Sequence, residues 1–161
     1  MTVITISQNL ENILQKEGVS SSEYVPAYGG ESAGLDLYNT GGDIYIQPSN
    51  KSGDANRVLV PTGIRMNIAK GYVALIKERG SVTKTPLKVR AGVIDAGYTG
   101  EVFVNCVNLG EQVYTIYKSN KLPFQVVVVK CDNEFRTVNN EEFEELVEHS
   151  KRKSKKIGSS D

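Results

Sequence analysis

The chain has 161 residues, and its 19 Lys and Arg balance its 19 Asp and Glu. A chain of that length buries roughly 70% of its unfolded surface as one domain, and its balanced charge excludes a global field drawing it to nucleic acid or to a membrane surface. One histidine, His149, and two cysteines without metal-ligand spacing, Cys106 and Cys131, exclude a Cys/His zinc site and chemistry built on several histidines.

In chain order, "MTVITISQNL" lacks the basic region and cleavage site of a signal peptide. No apolar run approaches the roughly 20 residues of a membrane span. A cytoplasmic protein with reduced core thiols is expected. "TVITI" (2–6) reads as a strand, and "ENILQKEG" (11–18) as a short helix closed by Gly18. "SSSEYVPAYGGES" is a Ser/Gly/Pro-rich connection. There follow "GLDLY", "DIYIQP", "RVLVPTGIRMNI", "GYVALIKE", "EVFVNCVN", "VYTIY" and "FQVVVVKC", short strands separated by Gly, Asn and Ser. Strands at such intervals predict an all-β sandwich or barrel. Near the end only "NEEFEELVEHSK" looks helical, with Phe143, Leu146 and Val147 at i, i+3 and i+4.

Two strands carry apolar residues on both faces. In "EVFVNCVN", Val102, Val104 and Cys106 alternate with Phe103 and Val107, and in "QVVVVK" the apolar run is continuous. Strands buried on both faces point to a two-sheet core plus an oligomer interface.

Several stretches could carry chemistry, each with a plainer alternative. Asp36 sits between two leucines in "SAGLDLY", as a hydrogen-bonded turn acid or a functional one. "KERGSVTK" sets Arg79, Gly80 and Ser81 after an apolar strand, as a phosphate cradle or an ordinary polar turn. In "AGVIDAGYTG", Asp95 reads as a buried acid held between an apolar pair and a sharp bend. The basic tail "RKSKKIGSSD" is a solvated end or a segment that folds over polyphosphate.

Taken together, "PAYGGESAGLDLY", "ERGSVTKTPL", "AGVIDAGYTGEVFVNCVNLG", "NKLPFQVVVV" and "RKSKKIGSSD" stand in the order of the five motifs of the trimeric dUTPases. The chain resembles that family from about Tyr24 to Asp161, and its divergence suggests a viral or phage member, working in the host cytoplasm. The resemblance implies a jelly-roll-type β-barrel over 1–148, with a short helical segment near its end, and a tail over 149–161 that closes the site. It implies a homotrimer with active sites at subunit junctions. The implied reaction is dUTP plus water giving dUMP and pyrophosphate, which keeps uracil out of DNA and supplies dUMP for dTMP synthesis.

By the same resemblance, backbone groups near Gly92 and Ile94 would bind the uracil edge. Asp95 would contact the 3′-hydroxyl and orient or deprotonate the attacking water, and Tyr98 would stack on the sugar. Mg²⁺ would chelate the triphosphate, reached by Asp36 through water. Arg79, Gly80, Ser81 and Gln125 would hold the α- and β-phosphates, and Arg152, Ile157, Gly158, Ser159 and Ser160 would close over the nucleotide. The chain departs from the family pattern in three places. Gly80 stands where a serine usually follows the arginine, with Ser81 one later. Ile157 replaces an aromatic that stacks on the base, and Lys153, Ser154, Lys155 and Lys156 replace glycines. A charge-reliant closure with strong salt dependence is expected. Two rival readings are a dCTP deaminase-like enzyme, which needs a further acid/base carboxylate in the hairpin, and a nucleotide-switched regulatory or interaction protein using the charged 139–156 segment.

Overall fold

The computed structural model describes residues 1–50 and 56–147. Its strands are β1 Val3–Ile6, β2 Leu35–Tyr38, β3 Ile44–Ile46, β4 Arg57–Asn67, β5 Tyr72–Glu78, β6 Leu87–Arg90, β7 Val93–Ile94, β8 Glu101–Asn108, β9 Tyr114–Ile116 and β10 Lys121–Lys130. Two helices, α1 Gln8–Lys16 and α2 Asn140–Val147, flank them. One sheet runs β1-β4-β8-β6, the second β2-β10-β5-β7, and β3 with β9 forms a two-stranded ribbon. Every pairing is antiparallel.

The period-2 pattern explains the core. On β8, Val102, Val104 and Cys106 turn inward, and on β4, Val60, Ile64 and Met66 do the same. From the second sheet Leu37, Ala74, Ile76, Phe124 and Val126 join the same buried cluster. The opposite faces of the two-sided strands behave differently in the single chain. Val107 is buried, yet Phe103 and Val128 remain exposed.

Helix α1 begins three residues earlier than its periodicity predicts. Ser7 caps it, its Oγ accepting from the Leu10 N–H (3.3 Å), and Gly18 closes it at φ +75°. Leu10, Ile13 and Leu14 drive its buried face into the core. Helix α2 forms as expected, but none of its residues is buried, and Phe143 and Leu146 face outward. Cys106 is the core thiol anticipated, whereas Cys131 lies just past β10 and is only half-buried.

Two buried asparagines, Asn39 and Asn108, fix loops through their side-chain amides, Asn108 Nδ2 donating to the Ile46 and Gln112 carbonyls and its Oδ1 accepting from the Gly110 N–H. Asn39 Nδ2 donates to the carbonyls of Gly42 (2.9 Å) and Tyr117 (3.1 Å), and its Oδ1 accepts from the Gly41 N–H (3.0 Å). Backbone bonds between Asn39 and both Ser119 and Asn120 complete the clasp. It sets the turn from which β10 starts, and hence where Lys121 emerges. No helix among the described residues is long and apolar enough to cross a membrane.

Candidate active site

The expected site residues within the described chain fall into two groups on the second sheet. The first surrounds Asp36 on β2. Its Oδ1 meets Arg79 Nε at 2.7 Å and its Oδ2 faces Lys121 Nζ at 3.6 Å. Arg79 is held from the other side as well, its guanidinium donating to the Leu122 carbonyl (3.2 Å) and its N–H to the Pro123 carbonyl (2.9 Å). Gln125 sits opposite Asp36 in register, and its Nε2 donates to the Glu78 carbonyl (3.2 Å). After Arg79 the chain makes a single 3₁₀ turn over Gly80–Lys84, on which Gly80 and Ser81 are exposed. Thus Asp36, Arg79 and Gln125 converge, with the Gly80-Ser81 turn beginning directly after Arg79.

An aromatic pair backs this group. Tyr38, two residues along β2 from Asp36, donates from its hydroxyl to Glu17 Oε2 at 2.7 Å. The Tyr24 hydroxyl donates to the Asp36 carbonyl, and the two rings lie 6.3 Å apart. Burial first, then the bond to Glu17 and the nearby carboxylates, push the Tyr38 phenol well above its ordinary value. Burial does the same to Tyr24. Both stay neutral donors at physiological pH.

The second group surrounds a cleft of about 230 Å³ lined by Ile76, Ala91, Val93, Ile94, Asp95, Tyr98 and Phe103, among others. Asp95 is exposed in the single chain, rather than buried as its apolar neighbours predict. The reason is the bend after it. The Tyr98 N–H donates to the Asp95 carbonyl (3.0 Å), which turns the carboxylate outward. The Tyr98 hydroxyl donates to the Glu101 carbonyl (2.7 Å), which fixes the ring as a wall of the cleft. Ala91 enters the hairpin at φ +51°, a left-handed conformation costing on the order of 1–3 kcal/mol.

Gly92 is required by close approach. A Cβ there would lie 2.7 Å from the Ile76 carbonyl oxygen. The Gly92 carbonyl is itself engaged, accepting from the Ile76 N–H at 2.7 Å. Antiparallel ladders alternate, so Ile94, paired with Ala74, also turns its backbone groups toward β5. Between them Val93 turns its N–H and C=O to the edge of the sheet, where β7 has no further neighbour among the described residues. The backbone groups that β7 presents along this edge are therefore those of Val93.

The two groups lie far apart along β5. Ile94 pairs with Ala74, which puts Asp95 level with Val73, six positions before Arg79. At about 3.3 Å per residue the two backbones are roughly 20 Å apart. The tail residues Arg152, Ile157, Gly158, Ser159 and Ser160 lie outside the described residues.

The dUTPase family profile matches residues 21–161. The chain belongs to the dUTPase family. A deoxyuridine 5′-triphosphate nucleotidohydrolase of Wolbachia is 32% identical over 134 residues, 81% of this chain and 80% of the relative. The enzyme of the same name from Chlamydia abortus is 38% identical over 89 residues, which span 60% of that protein. Among solved structures, a tyrosine-to-phenylalanine mutant of the Staphylococcus bacteriophage 80alpha dUTPase with dUpNHpp superposes with a TM-score of 0.73 at 21% identity, covering 100% of this chain and 98% of that one. The native EIAV dUTPase superposes with a TM-score of 0.64 at 22% identity, covering 88% and 98%. The fold is the jelly-roll-type β-barrel of dUTPases, and the chemistry to be explained is hydrolysis of dUTP. The deaminase-like and regulatory readings are not favoured.

Around these expected residues the structure also places Lys121, the Glu17–Tyr38–Tyr24 group and Val93, which sequence reasoning did not single out. Lys121 stands in the fourth motif stretch but ahead of the strand read there, Glu17 and Tyr24 lie outside the motifs, and Tyr38 and Val93 sit in strands too short to show a period.

Proposed function

We propose that this dUTPase-family chain cleaves dUTP between the α- and β-phosphorus, giving dUMP and pyrophosphate, at sites shared between copies in a homotrimer. The observation that carries the shared site is the separation of roughly 20 Å along β5. One nucleotide cannot place its α-phosphate at Arg79 and its sugar at Asp95 of the same chain. A neighbouring copy that brings its Asp95 cleft to this chain's Arg79 completes the constellation.

In such a junction the Val93 N–H and C=O would pair with the uracil edge, with β7 held in place by the close Gly92–Ile76 approach on its other side, and close backbone walls would refuse a 5-methyl group. The Tyr98 ring, pinned through Glu101, would cover the sugar face and refuse a ribose 2′-hydroxyl. The Asp95 carboxylate would take the proton of the attacking water as its oxygen bonds the α-phosphorus. The bond to the bridging oxygen then breaks, and pyrophosphate leaves with the electron pair. Arg79, the Gly80-Ser81 turn and Gln125 of the other copy would hold the phosphates, since positioned cations stabilise the charge that develops there. The tail with Arg152, Ile157, Gly158, Ser159 and Ser160 would close over the product-forming complex.

The donor set suits a metal that arrives on its substrate. Asp36 is one carboxylate already facing two cations. No group of three or more metal-ligating side chains gathers among the described residues. Mg²⁺ keeps most of its waters and needs few protein ligands, so Asp36 would reach Mg²⁺–dUTP through one of them. A related phage phi11 dUTPase coordinates a structural Mg(II) ion. The magnesium neutralises phosphate charge when bound.

The test is pyrophosphate release from dUTP, dTTP, UTP and dCTP by the wild-type chain and by Asp95→Asn. Activity on dUTP alone is expected, with a loss of about 10²–10⁴-fold in the variant, the range for removing a positioned base. Equal turnover of dTTP or UTP, or full activity of the variant, would overturn the reading.

A further inference from the structure

We propose that Lys121 is a phosphate-binding residue of this enzyme, a fixed ammonium that contributes charge neutralisation at the triphosphate beside the metal. The proposal rests on the dUTP reading above.

The backbone puts Lys121 there by a bulge. Between Lys121 and Gln125 the β10–β2 register shifts, so Gln125 faces Asp36 while Lys121 faces Tyr38. The Lys121 head therefore lies on the same face of β2 as the Asp36 carboxylate, 3.6 Å from Oδ2. The Tyr38 ring supports it from below, with Nζ 5.3 Å from the ring centre. That ring is itself held through its hydroxyl by Glu17. A lysine stem docked over a fixed ring loses less freedom when it meets an anion than a freely solvated one does.

Pairing with Asp36 does not use Lys121 fully. Arg79 holds the carboxylate at 2.7 Å, a true charge-assisted bond, while the lysine stands at the outer limit of an ion pair with its side chain 40% exposed. Such exposed pairs are weak and easily exchanged. Two cations share one carboxylate, leaving one positive charge unmatched among the three, beside Gln125 and the strand end that leads into the Gly80-Ser81 turn. A polyanion is the ligand that satisfies this set. Lysine supplies it as a compact point charge, which complements the planar fork of Arg79.

The experiment measures binding of the non-hydrolysable imido analogue of dUTP and of deoxyuridine, which has no phosphate, to the wild type, Lys121→Gln and Lys121→Arg. Each is measured with Mg²⁺ and with EDTA. For Lys121→Gln we expect the analogue's Kd to rise about tenfold, as for one lost charge-assisted contact, and more in EDTA than in Mg²⁺. Deoxyuridine should bind within about twofold of wild type, and Lys121→Arg should restore most of the analogue's affinity. An unchanged Kd for the analogue would overturn the proposal. So would equal weakening of both ligands, the signature of a residue that merely supports the fold. A wild-type chain that binds neither ligand would instead overturn the dUTP reading, and this inference with it.

Discussion

At Gly92 a single methyl group would separate folding from function. The Ile76 carbonyl lies 2.7 Å from where a Cβ would sit, and it belongs to the backbone of a central strand, which cannot rotate away. Gly92→Ala should push β7 off β5, lowering unfolding free energy by about 1–3 kcal/mol. It should also raise KM for dUTP more than that loss explains, because Val93 would lose its position on the edge. Urea unfolding alongside steady-state kinetics separates the two effects, and a variant destabilised with unchanged KM would show that β7 does not form the base slot. Cys106 gives a second prediction at this scale. Burial pushes its thiol up to about 12 from the ordinary 9.0. The folded chain thus keeps a proton that the unfolded chain releases, so this contribution to stability is complete below pH about 9 and is lost as pH rises toward about 12. Tyr24, raised in the same sense by burial, adds to the loss above its ordinary 10.0. The urea midpoint should hold to about pH 9 and then fall, and Cys106→Ala should lower the starting value but flatten the first part of that fall.

Elements differ in how much of them the residues disclose. The long strands β4, β5, β8 and β10 span seven or more residues, enough to be read as strands, although β8 and β10 are apolar on both faces and so do not disclose which face turns inward. Strands β6 and β7 span four and two residues, too few for any period, and only pairing with β8 and β5 makes them strands. The same limit hid Val93. Asp36, Arg79 and Gln125 were legible through the ordered motifs, whereas Lys121, in the same stretch as Gln125, is brought beside Asp36 by a bulge that no local pattern announces. The exposure of Asp95 was misread for a related reason, since apolar neighbours in sequence say nothing of a turn that rotates one side chain outward. Helix α1 was placed late because Gln8 and Asn9 mask its first turn, while its cap, Ser7, lay just before the apolar pattern. That cap is testable. Ser7→Ala should cost about 1 kcal/mol in urea unfolding, and Leu10→Ala, which empties a fully buried position, about 2–5 kcal/mol. Because Glu17 closes the helix and carries the Tyr38 bond, a frayed α1 should also weaken dUTP binding, and identical KM values across these variants would disconnect the helix from the phosphate end.

For the whole molecule, one chain leaves its business unfinished in two ways. The outer face of the first sheet keeps Leu59 62% and Phe103 41% exposed, with Pro61 in register beside Phe103. Phe103 also lines the Asp95 cleft, so in the proposed trimer a copy that covered that face would also complete that cleft. Meanwhile Arg79, beside Asp36, and Asp95 lie roughly 20 Å apart along β5. A site divided between subunits makes a prediction that a self-contained one does not. Asp95→Asn and Arg79→Gln chains should each be nearly inactive alone. Unfolded together in equal amounts and refolded, they should regain activity, because random assembly leaves about one junction in four with an intact Asp95 facing an intact Arg79. The recovered rate should approach about a quarter of wild type and depend on mixing before refolding, since preformed oligomers exchange subunits slowly. No recovery in the co-refolded mixture would mean that both residues serve the same chain's site, and the separation along β5 would then have to be bridged by a rearrangement within one barrel.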